Sequence, residues 1–70
     1  MPTSVYKVIE LIGTSKDSWE KAAAAAIAQA AKTVRELRVA EVSELDMVIE
    51  DNKVTLYRAK VKISFKYEKE

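Results

Sequence analysis

With 70 residues, no cysteine and no histidine, the chain can form neither disulfides nor the thiolate and imidazole metal sites that stabilise many small proteins. Its 12 basic and 11 acidic residues leave a net charge of +1, which gives no electrostatic case for binding nucleic acid or an anionic membrane. Because 49% of the residues are hydrophobic in a chain too short to bury a large core, we predict one domain over residues 1–70, stabilised by association with copies of itself.

The N-terminal residues carry no sign of an export signal. Residues 1–4 lack the basic segment that precedes a signal sequence, and no apolar run approaches the roughly 18 residues of a membrane span. We therefore expect a soluble protein of the cytoplasm.

Residues 5–12 predict the first strand, because β-branched and aromatic side chains dominate the segment VYKVIELI. Apolar residues occur on both of its faces. We expect one face to cover the core of the domain and the other to meet a neighbouring subunit. Gly13, the only glycine, is predicted to end this strand.

A helix is predicted next, continuing to about residue 36 through the alanine run at 22–26. Its start is open between two caps, Ser15, or Asp17 with Glu20 as its capping-box partner. An apolar stripe at helical spacing should face the sheet: Trp19, Ala23, Ala26, Ile27, Ala30, Val34 and Leu37. The small alanines allow close packing on the sheet, and we expect Trp19 to serve the same packing.

Residues 38–49 predict a second strand with one irregularity. By alternation Val42 lies on one face, whereas Leu45, Met47 and Ile49 lie on the other, which indicates a bulge near residues 43–44. Residues 50–53 (EDNK) then predict a tight hairpin turn, because Asp and Asn tolerate a positive φ.

Residues 53–67 predict a long third strand, since apolar and polar residues alternate almost without a break. Its apolar side carries Tyr57, Ala59, Val61, Ile63, Phe65 and Tyr67. A strand of about 12–14 residues spans roughly 40–45 Å. A globular monomer of this size has a diameter of only about 25 Å by the usual scaling. We therefore expect the strand to project onto another copy of the chain.

Together these elements predict an α+β fold of order β-α-β-β, with a three-stranded antiparallel sheet wrapped on one helix. The chain resembles the dodecin family in four pieces that cover nearly its whole length: VYKVIELIGTS, SWEKAAAAAIAQA, KTVRELRVAEV and LYRAKVKISFKYE. The resemblance implies assembly as a hollow dodecamer and, in the best-known members, storage or buffering of flavins.

The resemblance also implies a flavin site, which this chain has changed. In the best-known members an aromatic residue at the start of the second strand stacks on the isoalloxazine ring, and a glutamine of the third strand hydrogen-bonds the ring edge. These positions align with Val39 and Arg58. Valine has no π face, and arginine cannot accept a hydrogen bond from the ring N–H. We expect flavin affinity lower by about 10³-fold or more, so that the pocket is lost or remodelled.

Four carboxylates offer a different site. Glu44, Asp46, Glu50 and Asp51 surround the predicted hairpin, and in a chain without softer ligands they would select a hard cation such as calcium. In its RVA and DM segments the chain resembles dodecins that lack the aromatic residue and look more like calcium binders. A solvated hairpin end is the plainer interpretation of the same residues.

The polar side of the third strand carries a basic ladder: Arg58, Lys60, Lys62 and Lys66. We expect this ladder to pair with Glu41 and Glu44 of the second strand. An enzyme is not expected, since no histidine, cysteine, nucleophile elbow or phosphate-cradling glycine loop is present. We predict a self-assembling shell that binds or stores a small ligand. The alternatives are a calcium-binding shell and a residual flavin (FMN or riboflavin) binder that uses Arg58.

Overall fold

The computed structural model describes residues 3–67, which form three strands and one helix in the predicted order. The elements are β1 (Tyr6–Ser15), α1 (Trp19–Ala31), β2 (Leu37–Glu50) and β3 (Lys53–Lys66). β3 is the middle strand of one antiparallel sheet, and β1 and β2 form its edges. The predicted fold class is therefore confirmed, while residues 1–2 and 68–70 lie outside the described range.

The core lies between α1 and one side of β3. Its fully buried residues come equally from the two elements: Ala22, Ala26, Ala30, Ala59, Val61 and Ile63. Alanines four residues apart on α1 let the helix backbone approach the sheet closely. The predicted alternation along β3 is confirmed from Tyr57 to Phe65, but Tyr67 lies beyond the strand and is exposed. The stripe positions Ala26 and Ala30 are confirmed, whereas Ala22 is buried and was not predicted. Within residues 3–67 no polar or charged residue is buried.

Gly13 does not end the first strand, contrary to the prediction. β1 continues to Ser15, and Gly13 is buried opposite Ala59 beneath the helix. A Cβ atom at this position would overlap the backbone carbonyl oxygen of Ala22 and lie 3.2 Å from the Cβ of Ala26. The glycine is therefore required by the close approach of α1, not by a turn.

Neither predicted cap starts the helix. Ser18 is the N-cap, and its Oγ accepts a hydrogen bond of 3.1 Å from the backbone N–H of Lys21. Ser15 instead accepts hydrogen bonds from the backbone N–H groups of Asp17 and Ser18, which hold the turn between β1 and α1.

The helix ends at Ala31, five residues before the predicted end at residue 36. The β-branched Thr33 and Val34 lose side-chain freedom in a helix. Glu36 then takes a positive φ of 63°, which reverses the chain into β2. Val34 and Leu37 are consequently outside the helix, although Leu37 still packs against the core.

The β2–β3 hairpin has the predicted turn and more bulges than predicted. Asp51 and Asn52 both have positive φ, 53° and 62°, as the turn prediction requires. The register shifts between Val42 and Glu44, which confirms the bulge near residue 43. Two further shifts occur, one between Leu37 and Val39 and one between Val48 and Ile49. Within the described residues, no helix is long and apolar enough to cross a membrane.

Candidate functional site

The residues singled out from the sequence lie mostly on the side of the sheet that α1 leaves uncovered, here called the outer face. Residues paired across an antiparallel ladder point to the same side, so the face can be read from the register. Its β3 row is Arg58, Lys60, Lys62, Ser64 and Lys66. Its β2 row is Asp46, Glu44, Glu41 and Val39, and its β1 row is Thr14, Ile12, Glu10, Val8 and Tyr6.

Arg58 is held by Asp46 in a two-pronged ion pair. Its Nε donates to Asp46 Oδ1 at 2.7 Å, and its Nη2 donates to Asp46 Oδ2 at 2.8 Å. The guanidinium is fixed in one plane by this geometry, and two of its donors are already used. The predicted partners of the basic ladder were Glu41 and Glu44, so for Arg58 the prediction was wrong.

The ion pair shifts both pKa values. The hydrogen bond from the Arg58 guanidinium lowers the pKa of the Asp46 carboxyl, and the same bond raises the pKa of Arg58. Because the pKa of Asp46 is lower in the folded chain than in the unfolded chain, the stabilisation from the pair is complete at neutral pH. It is lost as the pH falls through the lowered pKa.

The bulge at Thr55 creates this pairing, and a second bulge at Ser43 lies beyond it. If the strand pairs continued from Glu50–Lys53 without a bulge, Arg58 would lie opposite Leu45. One extra residue on β3, Thr55, moves the register by one, and one extra residue on β2, Ser43, moves it back. Each bulged residue uses its hydroxyl to donate to a carbonyl of the opposite strand at 3.2 Å.

The rest of the basic ladder follows the prediction in part. Lys60 lies opposite Glu44, with 3.6 Å between Nζ and Oε1. Lys62 lies opposite Glu41 in the register, but within the described residues the two form no ion pair. The outer face therefore carries an acidic row on β2 beside the basic row on β3, rather than a uniformly basic surface.

Val39 and Arg58, the two flavin-equivalent positions, are far apart within one subunit. Val39 pairs with Ser64, six residues from Arg58 along β3, a separation of about 20 Å. Val39 is 62% exposed and lines a recess of about 270 Å³ together with Leu37, Ala40 and Ile27. A ligand that touches both positions has to lie between two subunits.

The four candidate metal ligands do not converge within one subunit. Glu44 and Asp46 lie next to each other on the outer face and each contacts a basic residue, whereas Glu50 and Asp51 lie at the hairpin turn. Within residues 3–67 no group of three or more acidic side chains is close enough to hold a metal ion. A site built from these carboxylates therefore requires carboxylates from more than one chain.

Trp19 packs between the helix and the sheet, as predicted. Its ring meets Tyr57 edge to face, with 5.2 Å between the ring centroids, and its Nε1–H donates to the backbone carbonyl of Asp46 at 3.0 Å. Beside it runs an apolar groove of about 460 Å³ between α1 and β2, here called the α1–β2 groove. Its lining residues are Trp19, Glu20, Ala23, Ala24, Ile27, Val42 and Leu45.

Comparison with known proteins identifies close relatives over nearly the whole chain. The family model described as Dodecin matches residues 5–68. The calcium dodecin of Mycobacterium tuberculosis is 51% identical over 63 residues, which are 90% of this chain and 89% of that protein. The dodecin of Thermus thermophilus is 41% identical over 64 residues, 91% of this chain and 93% of that protein.

The solved structure of the M. tuberculosis calcium dodecin superposes with a TM-score of 0.82 at 50% identity, covering 93% of each chain. That structure is described as a calcium-chelating antigen with a novel calcium-binding site. Sequence and fold thus point to the same relatives.

Proposed function

This chain belongs to the dodecin family, and from that membership we propose that it assembles into a hollow dodecamer that binds a small ligand between subunits, in storage or buffering rather than catalysis. The observation that carries the proposal is the surface area of the single chain. The chain exposes 5562 Å², whereas a compact monomer of 7.9 kDa is expected to expose about 4,400 Å².

The excess of about 1,150 Å² is larger than the roughly 800 Å² that each partner buries in a standard interface. The shape is also more extended than that of a globular chain. The radius of gyration is 14.6 Å, against about 11 Å for a globular chain of this length. The extents of 54 × 20 × 14 Å describe an elongated slab rather than a globule. A subunit of this shape is suited to form part of the wall of a shell.

Part of the exposed surface is also apolar, as a subunit interface requires. Large hydrophobic residues with more than 40% of their surface exposed occur on all three strands: Tyr6, Val8, Ile12, Val39, Val42, Leu45, Met47, Ile49 and Val54. A monomer rarely leaves so large an apolar area in contact with water. Association with other copies removes this area from water.

The ligand we propose is not a flavin held in the usual way. Val39 supplies no ring for stacking, and Arg58 already gives two donors to Asp46. The three remaining N–H groups of Arg58 can donate to a flavin carbonyl, but arginine has no acceptor for the ring N–H, so a flavin would also depend on backbone groups near Val39. The flavin pocket is accordingly remodelled, and residual flavin binding is the weaker alternative.

Calcium is the second candidate, supported by the 51% identity to a protein named calcium dodecin. We propose Glu44, Asp46, Glu50 and Asp51 as the source of ligands, with each subunit giving one or two to a shared site. Oxygen ligands in a flexible arrangement suit calcium. Glu50 and Asp51 at the exposed turn are available without breaking the Asp46–Arg58 pair.

The proposal predicts a particle of twelve 7.9 kDa chains by native mass measurement. Titration of flavin mononucleotide into the intact assembly is expected to leave its fluorescence nearly unquenched at micromolar protein. Calcium titration of the same assembly, followed by calorimetry, is expected to show saturable binding. A monomer in the native mass spectrum would contradict the assembly, and tight quenching would contradict the remodelled pocket.

Paired variants locate the calcium ligands. Glu50→Gln with Asp51→Asn removes the turn carboxylates, and Glu44→Gln with Asp46→Asn removes those of the outer face. Loss of calcium binding in one pair assigns the site to that region. Unchanged binding in both pairs would overturn the assignment to these four residues.

The flavin-equivalent positions can be tested by restoring them. Val39→Trp combined with Arg58→Gln is expected to raise the affinity for flavin mononucleotide at least tenfold, because the stacking ring and the amide acceptor both return. Arg58→Gln alone is the control, and it should give little gain without the ring. No gain from the double variant would place the site elsewhere or show that other residues block it.

A further inference from the structure

The free end of the β2–β3 hairpin, residues 48–56, extends beyond the rest of the subunit and is here called the hairpin arm. β1 reaches only as far as Ser15, which pairs with Tyr57. The first residue of α1, Trp19, contacts the same tyrosine. Past Tyr57 the sheet therefore consists of two strands with no helix above them.

The arm carries an apolar pair near its tip. Ile49 and Val54 are direct partners in the register and are 62% and 47% exposed. Directly paired residues point to the same side, so the two side chains form one continuous apolar surface. A two-stranded hairpin by itself is only marginally stable in water. The arm therefore requires a cover that its own subunit does not give.

The α1–β2 groove is the complementary feature. Glu20 is its only charged lining residue, and the floor and walls are aliphatic or aromatic. The groove exists because the bulge at Ser43 turns both Val42 and Leu45 toward the helix side. Like the arm, it is an apolar surface open to solvent.

The arm cannot fill the groove of its own chain. Ile49 is four residues from Leu45 and seven from Val42 along an extended strand, or about 13–23 Å. The tight turn at Asp51 and Asn52 and the continuous ladder fix the arm in line with β2. The occupant therefore has to come from a second copy.

We propose that the hairpin arm of one copy seats Ile49 and Val54 in the α1–β2 groove of a neighbouring copy. This inference rests on the proposed assembly and identifies which two surfaces meet in it. The excess accessible area of about 1,150 Å² is sufficient for such a contact on each subunit. Arm and groove are different patches, so the contact is head-to-tail and closes only as a ring of subunits.

The absence of native cysteine makes a cross-linking test clean. Ala24→Cys, in the groove, and Ile49→Cys, on the arm, are placed in separate chains that carry tags of different mass and are co-expressed. No disulfide can then form within one chain, and a mixed disulfide requires Cα atoms within about 7 Å of each other. Oxidation of the assembled protein is expected to give the mixed dimer as the main cross-linked product.

Ala25→Cys is the matched control, because Ala25 is the neighbouring exposed alanine of α1 and does not line the groove. We expect at least tenfold less mixed dimer when Ala25→Cys replaces Ala24→Cys. Native mass measurement of both mixtures shows whether the particles are assembled.

The outcomes separate the two proposals. An assembled particle in which both alanine positions cross-link equally, or neither does, would overturn the arm-in-groove contact and leave the shell intact. That result would be expected if another segment or an apolar small molecule filled the groove. A monomer in solution would overturn both proposals.

Discussion

Val61→Asp is expected to abolish folding and assembly together. Val61 is fully buried at the centre of β3, between Leu11 on β1 and Val42 on β2. An uncompensated carboxylate there has no partner, because the buried core contains no polar group within the described residues. Burying such a charge costs several kcal/mol. A core of four alanines, one valine and one isoleucine in a chain of this size supplies no more than about 3–5 kcal/mol, which is too little to offset this cost.

Far-UV circular dichroism and native mass measurement of the purified variant test this expectation, and Ile63→Asp should behave in the same way. Lys16→Asp is the matched control, since Lys16 is exposed in the turn between β1 and α1, and it should keep the native spectrum and mass. A stable, folded monomer carrying Val61→Asp would contradict the dependence of folding on assembly. It would mean that one subunit has more stability of its own than its core suggests.

The elements that the sequence predicted well are those set by local pattern. The alternation along β3 and the Asp51–Asn52 turn both depend on residues adjacent in the chain, and both are confirmed. The bulge at Ser43 was visible because the apolar residues of β2 change parity there. In each case one short segment contains the whole signal.

The wrong predictions concern features set by contacts between distant segments. The helix was extended to residue 36 because its composition allows it, but Glu36 turns the chain so that β2 can pair with β3. The predicted partner of Arg58 was wrong because the bulge at Thr55 was not predicted, although Val54 and Tyr57 lie on the same side of the sheet at positions of opposite parity. If the strand pairs are counted from the turn without a bulge, Arg58 lies opposite the apolar Leu45. This mismatch indicates that the register has to shift between the turn and Arg58.

The sequence predicted which residues belong to the candidate site, but not how they are arranged in space. Val39 and Arg58 are about 20 Å apart in one subunit, and the four carboxylates divide between the outer face and the hairpin turn. Neither set of residues converges within one chain, so each of the proposed sites would need residues from a second chain. One sequence specifies the residues that line a shared site, whereas the symmetry of the assembly decides which of them meet.

Gly13→Ala is expected to destabilise the folded chain by about 3 kcal/mol or more, although it adds only one methyl group. The new Cβ would overlap the carbonyl oxygen of Ala22, a backbone atom in the first turns of α1 that cannot rotate away. Relief requires the helix to move off the sheet, which would loosen the contacts of Ala22 and Ala26 with the core. The helix is also tied to the sheet by Trp19, whose ring contacts Tyr57, so the movement disturbs both.

Thermal unfolding at a fixed subunit concentration measures the effect, because the melting temperature of an assembly depends on concentration. Thr14→Ala is the matched control on the exposed outer face, and it should change the free energy of unfolding by no more than about 0.5 kcal/mol. An unchanged melting temperature for Gly13→Ala would mean that α1 lies farther from β1 in solution. Gly13 is a packing position inside a strand, which the neighbouring residues in the sequence do not reveal. The distance between helix and sheet depends on it.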